Sequence, residues 1–386
     1  MRFNKCNNLM EFRAIAKRRL PTPVFHYIDG GADDEVSLRR NTSAFDDYEI
    51  MPSQLHDVST ISLRSTLFGE DVDWPVMISP TGASRLFNAA GEPAVAKAAS
   101  KFGMFYSLST LGTTTIEDVA AAAEGPKLYQ LYVFKDRGLT EEWIARCKES
   151  GYKALALTVD VTDQGNRERD HVHGFAAPPR SRLRQVLSFA RYPGWLYRAL
   201  VKKDLDMVNI TSSEVAAQAL LAGVRNYIND ELERSLTWKD VEWLAERWDG
   251  PLAIKGIQSV EDCRRAVESG ATAVMISNHG GRQLDTAPAP VDCIRDIADA
   301  LRDRLEIICD GGIRRGNHVV KALALGANAC SIGRGYVYAL AAGGQPGVER
   351  ALTLLRKEVE RTLALAGCND VKELDRRFVI HRPTAS

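Results

Sequence analysis

Short apolar runs recur along the chain, each ending in polar or glycine residues and each followed by a stretch with helical spacing. Eight such runs fall at 75–80, 105–110, 127–133, 154–160, 252–256, 273–278, 306–311 and 329–334. Helix-spaced stretches lie between them at 91–102, 115–123, 139–150, 259–269, 290–303 and 316–325. An apolar run with an abrupt polar end reads as a parallel strand, buried on both faces and emerging at its C-terminal edge. Eight strands alternating with helices predict a closed (β/α)8 barrel. A doubly wound open sheet is the alternative, but eight strands favour closure and no GxGxxG follows the first.

The pattern also places what surrounds the barrel. Residues 8–19 predict a short amphipathic helix closed by Pro21 and Pro23, and 24–32 is an aromatic run ending at a glycine pair. Residues 1–386 read as one barrel domain with an insertion of about 161–251 after the fourth strand. Within it, 211–232 turns helical and Leu236-Thr237-Trp238-Lys239-Asp240 returns the chain to the barrel. A helix at 348–366 and a short tail to Ser386 close the sequence.

Polar residues gather where the strands end: Ser109, Gln130 and Tyr132, Thr158 and Asp160, Lys255, His279, Asp310 and Arg334. In barrel enzymes that face carries the active site. The densest cluster is Ser277-Asn278-His279-Gly280-Gly281-Arg282-Gln283-Leu284-Asp285, directly after the apolar run 273–276. His279 titrates near neutrality and can accept and return protons. Arg282 carries a planar fork suited to a carboxylate, and the glycines let a ligand approach the backbone. A base beside an anion clamp points to chemistry on a carbon next to a carboxylate. A satisfied histidine in an ordinary loop is the plainer alternative, and the attached Gly-Gly-Arg argues against it.

Composition narrows the partners. Lys+Arg and Asp+Glu both number 50, so overall charge gives no reason to expect a nucleic-acid partner. The seven cysteines are scattered without a CxxC pair, which predicts reduced thiols in a cytosolic setting and no zinc or other metal site. No secretory signal core follows Met1, and no apolar stretch approaches the roughly 20 residues that span a bilayer. The expectation is a soluble or peripheral protein. One local patch departs from the balance. Residues 178–203 hold Arg180, Arg182, Arg184, Arg191, Arg198, Lys202 and Lys203 with no acid, interleaved with Phe189, Tyr192, Trp195 and Tyr197. This stretch reads either as an excursion packed on the barrel or a neighbouring subunit, or as a surface for anionic lipid with aromatic anchors.

With these residues laid out, the chain resembles the FMN-dependent L-2-hydroxy acid dehydrogenases and oxidases. That family includes flavin L-lactate dehydrogenases, glycolate oxidase and mandelate dehydrogenase. The likeness runs from Phe25 to about Gly367 and rests on the 277–285 signature, on Asp310-Gly311-Gly312-Ile313-Arg314-Arg315-Gly316 and on Ile332-Gly333-Arg334. The resemblance implies one FMN and a small 2-hydroxy acid, most closely L-lactate, converted to its 2-oxo acid. Electrons would pass to a membrane quinone from a homotetramer held peripherally on the inner membrane face. Oxygen as acceptor, or a larger acid such as mandelate, is the alternative.

Residue by residue, the resemblance makes His279 the base and Asp160 its partner, favouring the protonated imidazole. Arg282 and Arg167 would hold the substrate carboxylate, with Tyr27 and Tyr132 adding hydroxyl contacts. Lys255 would set positive charge beside the flavin ring; a lysine paired with an acid inside the barrel is the plainer reading, disfavoured by Gly256 directly following. Ser109, Gln130, Thr158, Ser277 and the backbone of Pro80, Thr81 and Gly82 would meet the ring system. Asp310 would meet the ribityl hydroxyls, and Gly311, Gly312, Arg314, Gly333 and Arg334 the phosphate. The family often continues after the Asp160 position with Thr-Pro and then Gly-Arg-Arg-Glu, whereas here Val161-Thr162-Asp163-Gln164-Gly165-Asn166 leads to Arg167-Glu168. Leu111 stands where glycolate oxidase has tryptophan, which suits lactate or something larger, and Gly82 matches mandelate dehydrogenase.

Overall fold

A computed structural model describes residues 3–173, 189–202, 205–210 and 231–382. Three short strands precede the barrel: β1 (Tyr48–Ile50), β2 (Ser65–Leu67) and β3 (Glu70–Val72). The barrel strands are β4 (Val76–Ile78), β5 (Tyr106–Ser109), β6 (Lys127–Leu131), β7 (Ala154–Thr158), β8 (Leu252–Ile257), β9 (Ala273–Ser277), β10 (Glu306–Asp310) and β11 (Ala329–Ile332). They form one parallel sheet in the order β4-β11-β10-β9-β8-β7-β6-β5. The Ile78 amide donates to the Phe105 carbonyl at 3.0 Å, joining the two ends of that order. The (β/α)8 barrel read from the sequence is the fold.

Nearly every residue of these strands is buried, because the helices between them cover the outside while the barrel fills itself. The filling has a plug. β2 and β3 form a hairpin turning through Phe68 and Gly69 at positive φ, and Leu67, Phe68 and Val72 pack with Phe105, Leu128, Met275 and Ile308 in one buried cluster. Nothing in the alternation of 65–72 announced this hairpin. With the interior sealed at that level, the open space lies where the strands end.

The N-terminal region differs from its sequence reading. The aromatic run is a helix, Thr22–Asp29, with Pro23 in its first turn, where the missing amide hydrogen costs nothing. It carries Tyr27 to the barrel mouth, and buried Asp29 at its end is held by Arg13, Arg169 (3.0 Å) and the Tyr338 hydroxyl (2.8 Å). The closing helix is also longer than 348–366: it runs Arg334–Ala366 with a break at Gly344. The tail adds β12 (Val379–His381), antiparallel to β1. The helix expected at 211–232 lies outside the described residues except for its last two. The chain returns to the barrel through the helix Trp238–Trp248, closed at its start by a Thr237–Asp240 capping box.

Candidate active site

β9 ends in a turn that only its sequence allows. His279, Gly280 and Gly281 take φ values of 57, 67 and 72° in succession. A side chain at 281 would put its Cβ 2.5 Å from the Leu38 amide nitrogen, so glycine is required there. His279 has its own amide on Ser277 Oγ at 3.0 Å and its Nδ1 on Asp160 Oδ1 at 2.9 Å, across from the end of β7. An ionised Asp160 accepts from Nδ1–H, which leaves Nε2 as the basic nitrogen. Burial lowers the His279 pKa below its ordinary value; Asp160 pulls it up, and Lys255 pushes it down again. The net direction is downward, so burial outweighs the pull of Asp160 towards the protonated form. Burial also works against ionised Asp160, but His279 and Lys255 together hold its carboxyl below the usual range.

Beside this pair lies a second charged group. Lys255 Nζ sits 3.2 Å from Asp310 Oδ2 and donates to Ser277 Oγ at 3.1 Å; Ser79 and Ser277 hydroxyls each donate to Asp310 at 2.8 Å. The acid-paired lysine disfavoured in the sequence reading is what the structure contains, and both partners still line the cavity. Burial opposes both charges; Asp310 and Asp160 nevertheless hold the Lys255 pKa above its normal value.

The arginines are partly committed to backbone. Arg282 Nη1 donates to the carbonyls of Tyr27 and Gly30, and its guanidinium lies 4.9 Å from the centre of the Tyr27 ring. Arg167 donates to the Arg282 carbonyl at 3.2 Å and to Gln283 Oε1 at 2.9 Å. The two expected carboxylate ligands are thus fastened together on one wall. Burial keeps the Tyr132 phenol protonated well above its usual range. Arg334 lines the cavity and is also committed to backbone. Its Nε, Nη1 and Nη2 donate to Ile28, Gly280 and Gly30 carbonyls at 2.8, 2.7 and 2.7 Å, bracing the helix that carries Tyr27 against the His279 turn rather than presenting a loose guanidinium. Burial brings its pKa down to about 9.

These groups surround one cavity of about 570 Å³. Gly311, Gly312, Arg314, Gly333 and Arg334 line it, with Gly333 capping the helix Arg334–Ala366, a natural seat for an anion. Gly312 has no room for a side chain, since a Cβ would fall 1.7 Å from the Asn41 carbonyl oxygen. Pro80, Thr81, Gly82, Ser109, Lys255 and Asp310 line the cavity as well. Tyr27, Tyr132, Arg167, Arg282 and His279 also line it, together with apolar Leu86, Leu111, Val161 and Leu232. Asp160, Gln130, Thr158 and Ser277 do not line it, and the side chains of all but Thr158 hydrogen-bond a residue that does.

A flat, polar heterocycle fits the donors on offer. Gln130 Oε1 accepts from Ser109 Oγ at 2.7 Å, while Gln130 Nε2, Thr158 Oγ1 and Ser331 Oγ are buried without a protein partner. Buried polar atoms normally find partners, so leftover ones on β6, β7 and β11 suit a bound ring with its own acceptors and donors.

Some of the site was not read from the sequence. Ser79 and Ser331 face the cavity from strands whose polar ends were noted elsewhere, and Gln283 ties Arg167 to the Asp160 carbonyl (2.9 Å) from inside the signature. Leu205, Asp206 and Met207 reach the cavity from the insertion, with no sequence signal. The basic stretch is partly docked. Trp195 donates to the Leu86 carbonyl at 3.0 Å and Arg198 to that of Arg85, whereas Tyr197 and Val201 are exposed. Arg180, Arg182, Arg184 and Lys203 lie outside the described residues.

A histidine held by Asp160 with two arginines beside it, and buried polar atoms left over for a heterocycle, fits a barrel flavoenzyme that oxidises a 2-hydroxy acid. The sequence profile of the FMN-dependent dehydrogenase family matches residues 16–381, and the chain belongs to that family. The L-lactate dehydrogenase of Xanthomonas campestris pv. campestris (strain 8004) is 42% identical over 368 residues, 94% of each chain. Glycolate oxidase 1 of Zea mays is 38% identical over 373 residues, 97% of this chain and 95% of that protein. The crystal structure of the monotopic membrane protein (S)-mandelate dehydrogenase superposes with a TM-score of 0.91 at 35% identity, over 98% of this chain and 100% of that one.

Proposed function

We propose that the chain oxidises L-lactate to its 2-oxo acid and passes the electrons to a membrane quinone. The observation that carries the acid-oxidising part is the 2.9 Å bond from Asp160 to His279 Nδ1, which leaves Nε2 free to take a proton beside Arg282 and Arg167. When bound, FMN supplies the two-electron acceptor. Lys255, Ser109, Gln130, Thr158, Ser277 and the backbone of Pro80, Thr81 and Gly82 would hold its ring. Asp310 would take the ribityl chain, and Gly311, Gly312, Arg314 and Gly333 the phosphate. Arg334, which lines the same cavity, would join them at the phosphate while bracing the surrounding backbone.

Arg282 and Arg167 orient the substrate carboxylate, and Tyr27 and Tyr132 bond its oxygens. His279 Nε2 takes the proton from the substrate hydroxyl, or from Cα in a carbanion route. As the imidazole gains charge, Asp160 is already in place to stabilise it. The full chain works as a single FMN-binding barrel with its insertion, assembled as a homotetramer.

The electron acceptor and the location rest on the basic, aromatic stretch 178–203 and on the likeness to a monotopic membrane enzyme. Among the described residues no helix is long and apolar enough to cross a membrane. The reading is a peripheral enzyme on the inner membrane face. A larger acid such as mandelate is the second reading, favoured by the apolar wall of Leu86, Leu111, Val161, Leu205, Met207 and Leu232. A panel of 2-hydroxy acids under anaerobic conditions, read by flavin bleaching, tests the substrate. L-lactate should give the highest kcat/KM, and a preference for mandelate would replace it. Repeating the assay with oxygen or a quinone analogue separates a peroxide-forming oxidase from a quinone reductase.

A further inference from the structure

The turn that carries His279 is gripped from outside the barrel. Asn41 lies in the helix Val36–Ser43, and its buried amide forms a reciprocal pair with that of Asn278. Asn41 Nδ2 donates to Asn278 Oδ1 at 2.7 Å, and Asn278 Nδ2 donates to Asn41 Oδ1 at 2.6 Å. The rest of the Asn278 amide is used locally: Oδ1 also accepts from the Gly281 amide at 3.0 Å, and Nδ2 donates to the Pro288 carbonyl at 3.0 Å. Both donors and both acceptor positions are filled, so only one orientation of this amide satisfies its surroundings.

That orientation matters because the Asn278 oxygen closes the turn across His279. A histidine at φ 57° is uncommon and persists only where neighbours over-determine it. The helix that supplies Asn41 is itself fixed to the same loop. Asp285 accepts from the Val36 and Ser37 amides at 3.1 and 2.8 Å, and Ser37 Oγ donates to the Ala287 carbonyl at 2.9 Å. At its other end, Arg40 pairs with Asp47 and Asp292. The helix is thus tied at both ends.

We propose that Asn41 is a positioning residue for the reaction. Its amide, acting through Asn278, holds the His279 turn in the left-handed conformation that keeps Nδ1 on Asp160 and Nε2 at the cavity. This role rests on His279 being the base. Asn41 is not among the residues that line the cavity, so its effect runs through the turn.

Two substitutions test this in the FMN-loaded enzyme, with rates taken per bound flavin. Asn41→Asp keeps the shape but sets an acceptor against Asn278 Oδ1, and Asn41→Leu removes both bonds at similar size. Each should slow flavin reduction at saturating L-lactate by roughly 10–100-fold, the scale of a small misplacement of a reacting group. KM and FMN content should stay near wild type. Because the effect runs through one partner, adding Asn41→Leu to Asn278→Ala should cost nothing beyond Asn278→Ala alone. Wild-type rates in both Asn41 variants, loss confined to FMN content, or losses that multiply in the double variant would each overturn the proposal. His279→Gln run alongside keeps the two ideas apart. If that variant reduces flavin normally, the base assignment fails; if it is inactive while both Asn41 variants are normal, only the positioning role fails.

Discussion

Ser277 Oγ lies between Lys255 Nζ, 3.1 Å away, and Asp310 Oδ2, 2.8 Å away, completing a buried lysine–aspartate pair at the barrel mouth. Removing one member of such a pair leaves an uncompensated buried charge, which typically costs about 3–5 kcal/mol. Lys255→Met should therefore lower thermal stability as well as FMN affinity, while Lys255→Met combined with Asp310→Leu should recover part of the stability without recovering FMN. Calorimetry and flavin fluorescence titration check the two halves separately.

Arg282→Lys keeps a positive charge but loses the fork and its place over Tyr27. Losing a charged hydrogen bond costs about 1.5–3 kcal/mol, so the substrate dissociation constant should rise by roughly 10–100-fold. Anaerobic titration of the enzyme with a non-reacting carboxylate analogue measures this. An unchanged constant would place the carboxylate elsewhere.

The acid limb of kcat/KM should reflect His279, whose pKa burial holds below its ordinary 6.5. Activity should rise with pH through a value under 6.5. Asp160→Asn removes the group that pulls this pKa up and should move the limb to lower pH, along with a loss of rate. The same sign governs stability. A histidine with a depressed folded pKa contributes stability present above its unfolded value, lost as pH falls from there towards the folded pKa. His318, stacked on Phe45 at 4.4 Å and brought down to about 4 by burial, adds to this loss between roughly pH 6.5 and 4. His318→Phe should flatten the decline measured by denaturant unfolding across that window.

The membrane proposal is tested by charge removal. Arg180, Arg182, Arg184 and Arg191 changed to Ser together should weaken binding to anionic vesicles and slow quinone reduction, leaving anaerobic flavin reduction intact. Each basic residue near such a surface contributes about 1 kcal/mol. Arg198 is left in place because it holds the Arg85 carbonyl. Vesicle binding equal to wild type would mark the stretch as a subunit contact or a cover over the barrel.

The barrel and the positions of His279, Asp160, Lys255 and Asp310 were legible because strand ends interrupt apolar runs sharply, and barrel geometry sends those ends to one face. The pairing of Lys255 with Asp310 was not legible, since nothing local distinguishes a lysine that meets a ligand from one that meets an acid on a strand two places away. The plug hairpin 65–72 and the Asn41–Asn278 pair stayed hidden for a related reason. Each gains its meaning from partners far along the chain, Phe105 to Ile308 for the hairpin and Asn278 for Asn41, which periodicity does not see. Arg334 shows the converse: a motif named the residue, and only the structure showed that it holds three carbonyls.

The central claim is that His279 Nε2 removes a proton from the acid. FMN-loaded His279→Gln, mixed anaerobically with L-lactate and followed by the flavin absorbance, tests it most directly. FMN binding should be unchanged, and reduction should slow by at least ~10²–10⁴-fold, the usual contribution of a general base. Bleaching of the flavin at the wild-type rate would contradict the account.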